Sequence, residues 1–167
     1  MKYKLEHRFK GKPVKDAIEF LCEEYGFDET QMENVTGSTL LEEKITDESK
    51  FWKRQWCVHG QIPKVAQQLI KPKMLTWIEF TEYDRVNKKY KTWIETYFFK
   101  DMVKCEQTGY YIITNDSEFI RVQEGYIRVK FPVIGPILEE VIVKHLKKNW
   151  DDEYKISRKV ISEKFAG

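Results

Sequence analysis

Histidines are the first residues of this chain that could transfer protons near neutral pH. The three are His7, His59 and His145. His59 stands at the end of a predicted strand and His145 next to the apolar stripe of a predicted helix, so either could act as a general base in a cavity. The ordinary interpretation of a lone histidine is a hydrogen-bonded structural group. Glu79 and Glu95 could likewise face inward as an acid pair, or face solvent as cross-strand partners of lysines.

No recognised catalytic or ligand-binding signature accompanies these residues. HExxH, CxxC, GxSxG and phosphate-loop patterns are absent from the sequence. Cys22, Cys57 and Cys105 are far apart and odd in number, which indicates free and mostly buried thiols in a reducing compartment. The sequence therefore predicts no catalytic residue, no metal and no cofactor, and it favours binding over catalysis.

Aromatic side chains are the more informative chemistry, at 14% of the chain with five tryptophans. Such residues on strands suit the wall of an apolar pocket that carries a few polar tips. They could equally pack against one another without leaving a cavity. The candidate ligand-binding residues are Trp56, Trp77, Trp93, Tyr97, Tyr111 and Ile127 from the strands, with Leu138, Ile142 and Leu146 from the last helix.

Composition excludes several partners. The 29 basic and 27 acidic residues are well mixed and give a net charge of +2, which is no footprint for nucleic acid. The opening "MKYKLEHRFKGK" lacks the apolar core of a signal peptide. No apolar run approaches the roughly 18–20 residues that span a bilayer. We expect a cytoplasmic protein, or one that visits a membrane surface.

The periodicity predicts strands on either side of one helix, followed by a long run of β-structure. Residues 2–9 alternate like a half-buried strand, and residues 14–25 have helical spacing after Pro13. From Gly37 to Phe131 the pattern is mostly β, with hairpins around "DRVNKK" and "NDS". No repeat or linker appears, so residues 1–167 are predicted to form a single domain.

One segment interrupts the β-pattern. Residues 61–70, "QIPKVAQQLI", have the spacing of a short amphipathic helix. Its apolar residues Ile62, Val65 and Leu69 could form a gate across a cavity mouth, and the lysines nearby would suit anionic headgroups. An ordinary capping helix with solvated lysines explains the segment equally well.

The end of the chain predicts a strand that leads into a long helix. Pro132 ends the strand and Pro136 suits the first turn of a helix, with Glu139 and Glu140 in that turn. Apolar residues then recur from Leu138 to Ile161, so some 28 residues would extend about 40 Å. This stripe needs a large partner, and the sheet is the only one available.

This order of elements resembles the START-like, or SRPBCC, superfamily over nearly the whole chain. "GYIRVKFPVIGPILEEVI" and "QIPKVAQQLI.PKMLTWIE" are similar to a bacterial START-like subfamily of uncharacterised function. The resemblance implies an α+β helix-grip fold, in which a curved antiparallel sheet of six or seven strands wraps around a long C-terminal helix. Residues 39–99 are also similar in order to PRELI-type phospholipid-transfer proteins, although "FPVIGP" departs from that pattern.

Function follows from this resemblance only as an expectation. It implies binding, and in some relatives transport, of a lipid or other apolar small molecule between the sheet and the last helix. Some relatives are cyclases or hydratases, so an enzyme using the same cavity is the alternative. A module that binds proteins without a ligand, including a homodimer, is the third.

Overall fold

The computed structural model of the chain describes residues 1–23, 35–58, 64–68 and 70–166. In chain order the elements are β1 (Lys2–Lys10), α1 (Val14–Glu23), β2 (Val35–Ile45), β3 (Ser49–Val58), β4 (Thr76–Asp84), β5 (Lys89–Thr96), β6 (Val103–Asn115), β7 (Glu118–Val129) and α2 (Gly135–Lys164). The strands form one antiparallel sheet in the order β1-β7-β6-β5-β4-β3-β2. The predicted curved sheet of six or seven strands with a long C-terminal helix is confirmed.

Alternation along the strands decides which side chains meet the helices. In β1, Tyr3, His7 and Phe9 are buried and the charged residues between them are exposed, as the alternation predicts. α2 packs against β1 and β7. We call the face that carries these side chains and the helices the concave face, and the opposite one the convex face.

Two apolar clusters cover the concave face. The first contains Phe9, Val14, Ala17, Ile18, Phe20, Cys22, Trp52, Tyr83, Phe119 and Ile161. The second contains Tyr3, Ala66, Cys105, Ile127, Val129, Ile134, Leu138 and Val143. The two ends of α2 therefore belong to different clusters, and the polar residues described below lie between them.

α2 begins one residue before the expected proline. Gly135 is its first residue. Glycine is needed at this position because a Cβ would lie 2.4 Å from the carbonyl oxygen of Val129. The first turn consequently holds no acid, contrary to the expectation for Glu139 and Glu140. Glu139 instead accepts a 2.9 Å hydrogen bond from the Val129 amide and so joins the end of β7 to the helix. The helix has 30 residues, a length of about 45 Å.

The amphipathic helix expected over residues 61–70 is not continuous. The described part of that segment holds a single 3-10 turn at Lys64–Ala66, and a second follows at Pro72–Met74. Ala66 is buried in the second cluster, and Ile70 packs against that cluster. Residues 61–63 and 69 lie outside the described ranges.

Two strand glycines allow tyrosines to lie flat on the concave face. Tyr3 crosses over Gly125, where a Cβ would be 2.6 Å from its hydroxyl and 2.5 Å from a backbone oxygen of Glu106. Tyr90 crosses over Gly109 in the same way, with its ring 2.0 Å from the position of a Cβ. Glycine inside a strand often marks such a close approach.

Replacing Gly125 with alanine should therefore destabilise the protein by about 1–3 kcal/mol, the usual cost of overpacking. The backbone oxygen beneath the new methyl group cannot move without breaking the β6–β7 pairing. Urea unfolding measures this loss. Gly37→Ala is the matched control, because a Cβ at Gly37 has no atom within 4 Å. Equal stabilities of the two variants would contradict the close approach.

Candidate functional site

A polar centre separates the two apolar clusters on the concave face. Its members are His7, Tyr90, Arg121, Gln123 and Glu153. Four of them come from neighbouring strands that the register brings side by side, since His7 pairs with Arg121 and Gly109 pairs with Gln123. Glu153 comes from α2, which lies across these strands.

Arg121 and Glu153 form a buried, bidentate ion pair. The guanidinium donates to both carboxylate oxygens, at 3.2 Å from Nη1 and 2.5 Å from Nη2. Only 5% and 6% of the two side chains are exposed. The guanidinium carbon also lies 5.2 Å from the rings of Phe9 and Trp150. Burial opposes the charge of Arg121, but Glu153 outweighs it, and the pKa of Arg121 is raised above its ordinary value.

His7 is held on both of its ring nitrogens. Nε2 lies 2.9 Å from an Asp151 oxygen, and Nδ1 lies 3.4 Å from Nη2 of Arg121. A neutral ring with its proton on Nε2 satisfies both contacts, since the arginine can only donate. Burial and the Arg121 charge lower the pKa of His7, and Asp151 opposes them. A ring stacked 4.5 Å from Tyr154 and engaged at both nitrogens suits structure better than proton transfer.

Several other polar atoms of this centre are buried without a partner. The side chain of Gln123 is 0% exposed, yet neither its amide nitrogen nor its amide oxygen has a hydrogen bond among the described residues. The same holds for the Tyr90 hydroxyl and for Nε of Arg121. Burial raises the pKa of Tyr90, while the Arg121 charge and a loose approach of the Gln123 side chain, outside hydrogen-bond geometry, lower it. Buried polar groups are normally paired, so these atoms need a partner that is not part of the described chain.

The neighbouring buried glutamine shows the contrast. Gln107, on β6, accepts a 2.8 Å hydrogen bond from the Tyr3 hydroxyl. Both glutamines are nearly inaccessible, at 4% and 0% exposure. The partnerless state of Gln123 is thus a property of its position and not of buried glutamines in this sheet.

Five of the nine predicted lining residues lie in or against the two apolar clusters that flank this centre. Ile127 and Leu138 are buried in the second cluster, with Ile142 and Leu146 packed against it. Tyr111 packs against the first cluster and receives a 3.2 Å hydrogen bond from Cys22. Trp56 and Trp77 face each other on adjacent strands, farther along the concave face, and their indole N–H groups are buried without a partner among the described residues.

Two predicted lining residues lie on the wrong face. Trp93 alternates with Ile94 and stacks on Phe80 at 5.3 Å, so it points away from α2. Tyr97 is 51% exposed, and its hydroxyl donates to Gln55 on the convex face. The period of two is the reason, since both residues have the parity opposite to that of the inward positions. Neither can line a space between sheet and helix.

The other candidates are separated as well. Glu79 pairs in register with Ile94 and shares its concave face, whereas Glu95 pairs with Ile78 and is exposed on the convex face. They therefore form no acid pair. Of the predicted gate, Val65 is 53% exposed. Ile62, Leu69 and His59 lie outside the described residues.

The sequence analysis missed Arg121, Gln123, Glu153 and Tyr90. A signal for two of them existed, because the inward parity of Ile127 and Val129 continues back to Gln123 and Arg121. Polar residues at inward strand positions indicate a buried polar site. For Glu153 no such signal exists. It is one of many charged residues along α2, and the sequence does not distinguish it from the charged residues that are exposed.

Other kinds of site find no support in the described part of the chain. No group of three or more histidine, cysteine or acidic side chains there could hold a metal ion. None of the helices within the described ranges is long and apolar enough to cross a membrane.

The fold is shared with solved structures of low sequence identity. A protein from Thermus thermophilus is 14% identical, with a TM-score of 0.68 over 96% of this chain and 97% of that one. A START superfamily protein from Mycobacterium smegmatis is 12% identical, with a TM-score of 0.58 over 94% and 97%. An aromatase/cyclase from Streptomyces is 11% identical, with a TM-score of 0.54 over 94% of each chain. No family model and no curated protein matches the sequence.

These likenesses show a START-like helix-grip fold, as the order of elements predicts. At such identities they show the fold alone. None of the three structures is described as a PRELI-type protein, so that second resemblance stays a prediction.

Proposed function

We propose that this protein binds and carries a lipid or other apolar small molecule between the concave face and α2. The observation that carries the proposal is the partnerless Gln123 amide, buried beside the Tyr90 hydroxyl and Nε of Arg121. A buried donor or acceptor without a partner destabilises the folded state by its desolvation penalty. A bound molecule that supplies a polar group at this point would remove that cost.

The chemistry of the centre specifies the polar end of the ligand. Gln123 offers one donor and one acceptor side by side, and a hydroxyl, amide or protonated acid matches that pair. The charge of Arg121 is already compensated by Glu153, so a second anion gains less there than at an isolated arginine. We therefore expect a neutral polar group on the ligand.

The surroundings specify the rest of the ligand. Ile94, Leu146 and Ile142 are only partly buried where they pack against the second cluster. They lie on the side of the polar centre toward the start of α2, and apolar walls with a few placed polar groups are the usual form of a small-molecule site. An amphiphile with its polar group at Gln123 and its apolar part along these residues fits this arrangement.

Native mass spectrometry of the purified protein, paired with organic extraction, tests the proposal. We expect a co-purified organic molecule in the wild type. Leu146→Trp should abolish most of it by filling the space beside α2, while Ile112→Trp should not, because Ile112 is exposed on the convex face. Both variants should remain folded by circular dichroism.

Clean masses for all three proteins, with no molecule recovered after incubation with a mixed lipid extract, would contradict ligand binding. That result would favour a module that acts through its surface, toward a partner protein or a second copy of the chain. Equal retention by both variants would place the molecule elsewhere on the protein.

A cyclase- or hydratase-type activity in the same space is the second candidate. The observation in its favour is the cluster of buried titratable groups, including His7, Tyr90 and Glu153, in a fold shared with a known aromatase/cyclase. It ranks second because His7 and Glu153 are already engaged with Asp151 and Arg121. Recovery of a chemically altered ligand after incubation would favour the enzymatic activity over ligand carriage.

A further inference from the structure

Lysine and arginine residues are concentrated in the connections at one end of the sheet. The antiparallel order places the β3–β4, β5–β6 and β7–α2 connections and the starts of β1 and β2 at the same end. The described cations of this end are Lys64, Lys71, Lys73, Lys100 and Lys130 in the connections, with Lys2, Lys104 and Arg128 next to them on the strands. We call these eight residues the basic rim.

Within the ranges that the structure describes, few acids oppose these charges. The described acids of this end are Glu95, Asp101, Glu139 and Glu140, and Glu139 is already paired with the amino group of Met1 at 2.7 Å. The connections at the opposite end carry both signs equally, with Asp47, Glu48 and Asp116 against Lys12, Arg85 and Lys88. Among the described residues, the two ends of the sheet therefore differ in charge although the whole chain is nearly neutral.

The rim also contains a groove. A depression of about 420 Å³ lies on the convex face beside the rim. It is lined by Met1, Lys2, Lys104, Tyr126, Ile127, Arg128 and Lys130. Four of the rim cations thus line one depression.

Exposed apolar residues stand in the same connections or directly beside them. Val133 is 89% exposed, Ile137 42%, Phe98 39% and Val65 53%. Val133 has a φ of 67°, a left-handed conformation that a β-branched residue rarely adopts. Phe99, whose φ is 60°, packs edge-on at 5.0 Å against Phe131 at the base of the same turn. A strained turn thus holds an apolar side chain in solvent, where packing does not explain it.

From this arrangement we propose that the basic rim docks on an anionic lipid membrane, with Val133 and Ile137 inserted at the headgroup level. Clustered lysines and arginines are attracted to the negative surface of anionic bilayers, and apolar side chains add contact with the acyl boundary. A nucleic acid would use the same charges, but it offers no apolar layer for an exposed valine. This surface is separate from the polar centre, so the proposal does not depend on ligand binding.

Vesicle co-sedimentation tests the docking. We expect the wild-type protein to bind vesicles of phosphatidylcholine mixed with phosphatidylglycerol at least about tenfold more strongly than vesicles of phosphatidylcholine alone, with the difference shrinking at high salt. The double variant Lys104→Glu/Lys130→Glu should lose most of this binding. Lys15→Glu/Lys159→Glu, with the same change of net charge on exposed residues of α1 and α2, should keep it.

A second variant separates docking from folding. Val133→Asn removes the apolar tip without changing charge, and asparagine accepts a positive φ more readily than valine. We expect it to melt no lower than the wild type while binding anionic vesicles several-fold more weakly. Absence of wild-type binding to anionic vesicles, equal binding by the two charge variants, or binding to duplex DNA in place of vesicles would overturn the proposal.

Discussion

Replacing Glu153 with glutamine should lower the free energy of unfolding by about 3–5 kcal/mol, the usual cost of removing one partner from a buried ion pair. Arg121 would keep its charge in a space that excludes water, with Phe9 and Trp150 against its guanidinium. Small domains have a total stability of about 5–15 kcal/mol. Urea unfolding followed by fluorescence should show the loss as a lower midpoint with an unchanged slope.

Two further variants isolate the charge from the packing. The pair Arg121→Met/Glu153→Leu removes both charges and should recover most of the lost stability, because no ion remains buried. Glu6→Gln breaks an ion pair with Lys4 whose two side chains are about half exposed, and it should leave stability nearly unchanged. A Glu153→Gln variant as stable as the wild type would mean that water reaches Arg121.

Replacing Gln123 with leucine should raise the free energy of unfolding of the ligand-free protein, whereas Glu153→Gln should lower it. Both amide atoms of Gln123 lack a partner, so their removal ends a desolvation cost of about 1–3 kcal/mol and sacrifices no hydrogen bond among the described residues. The same change should weaken binding of a ligand with a hydroxyl or amide group at least about tenfold, because the complementary pair is lost. Unfolding of the delipidated protein and extraction of the purified one measure the two effects.

Gln107→Leu is the matched control for this prediction. It makes the same substitution at a glutamine that is also buried but accepts the Tyr3 hydroxyl, which would be left unpaired. We expect Gln107→Leu to destabilise the protein by about 1–3 kcal/mol. If Gln123→Leu cost as much, Gln123 would be a satisfied structural residue, and the proposed ligand contact would lose its support.

The concave face contains polar side chains that do not stabilise the fold. Arg121 and Glu153 form an ion pair with each other, whereas Gln123 and the Tyr90 hydroxyl make no well-formed hydrogen bond within the described chain. Sequences that break a local rule of folding often do so at functional sites. A Gln123→Leu protein that is more stable without ligand but no longer retains one would show that Gln123 lowers stability and serves ligand binding.

The elements of the fold were predictable because local patterns determine them. Strict alternation in "KYKLEHRF" places β1, the turn signal "NDS" separates β6 from β7, and "FPVIGP" marks the change from strand to helix. Their order was enough to predict a curved sheet with a long last helix. The short segment at 61–70 was less predictable, because a few apolar residues suit several conformations.

The predicted lining shows where local patterns stop being sufficient. Ile127 and Leu138 lie on clear apolar stripes in the sequence, and both are buried in the second cluster; their contact with a ligand stays a prediction. The predicted position of Trp93 was wrong, because both faces of β5 carry large apolar residues and its aromatic type suits either face. Only the pairing of β5 with β4 and β6 places Ile94, and not Trp93, against the second cluster.

By itself, then, the sequence determined the elements, their order and the alternation of each strand, because these depend on residues close together in the chain. The tertiary structure decided which charges are buried. Arg121 and Glu153 are 32 positions apart and are two of many charged residues, and only the crossing of α2 over β7 brings them together. It also decided that Gln123 lacks a partner while Gln107 has one, because that depends on where Tyr3 and Tyr90 cross the sheet.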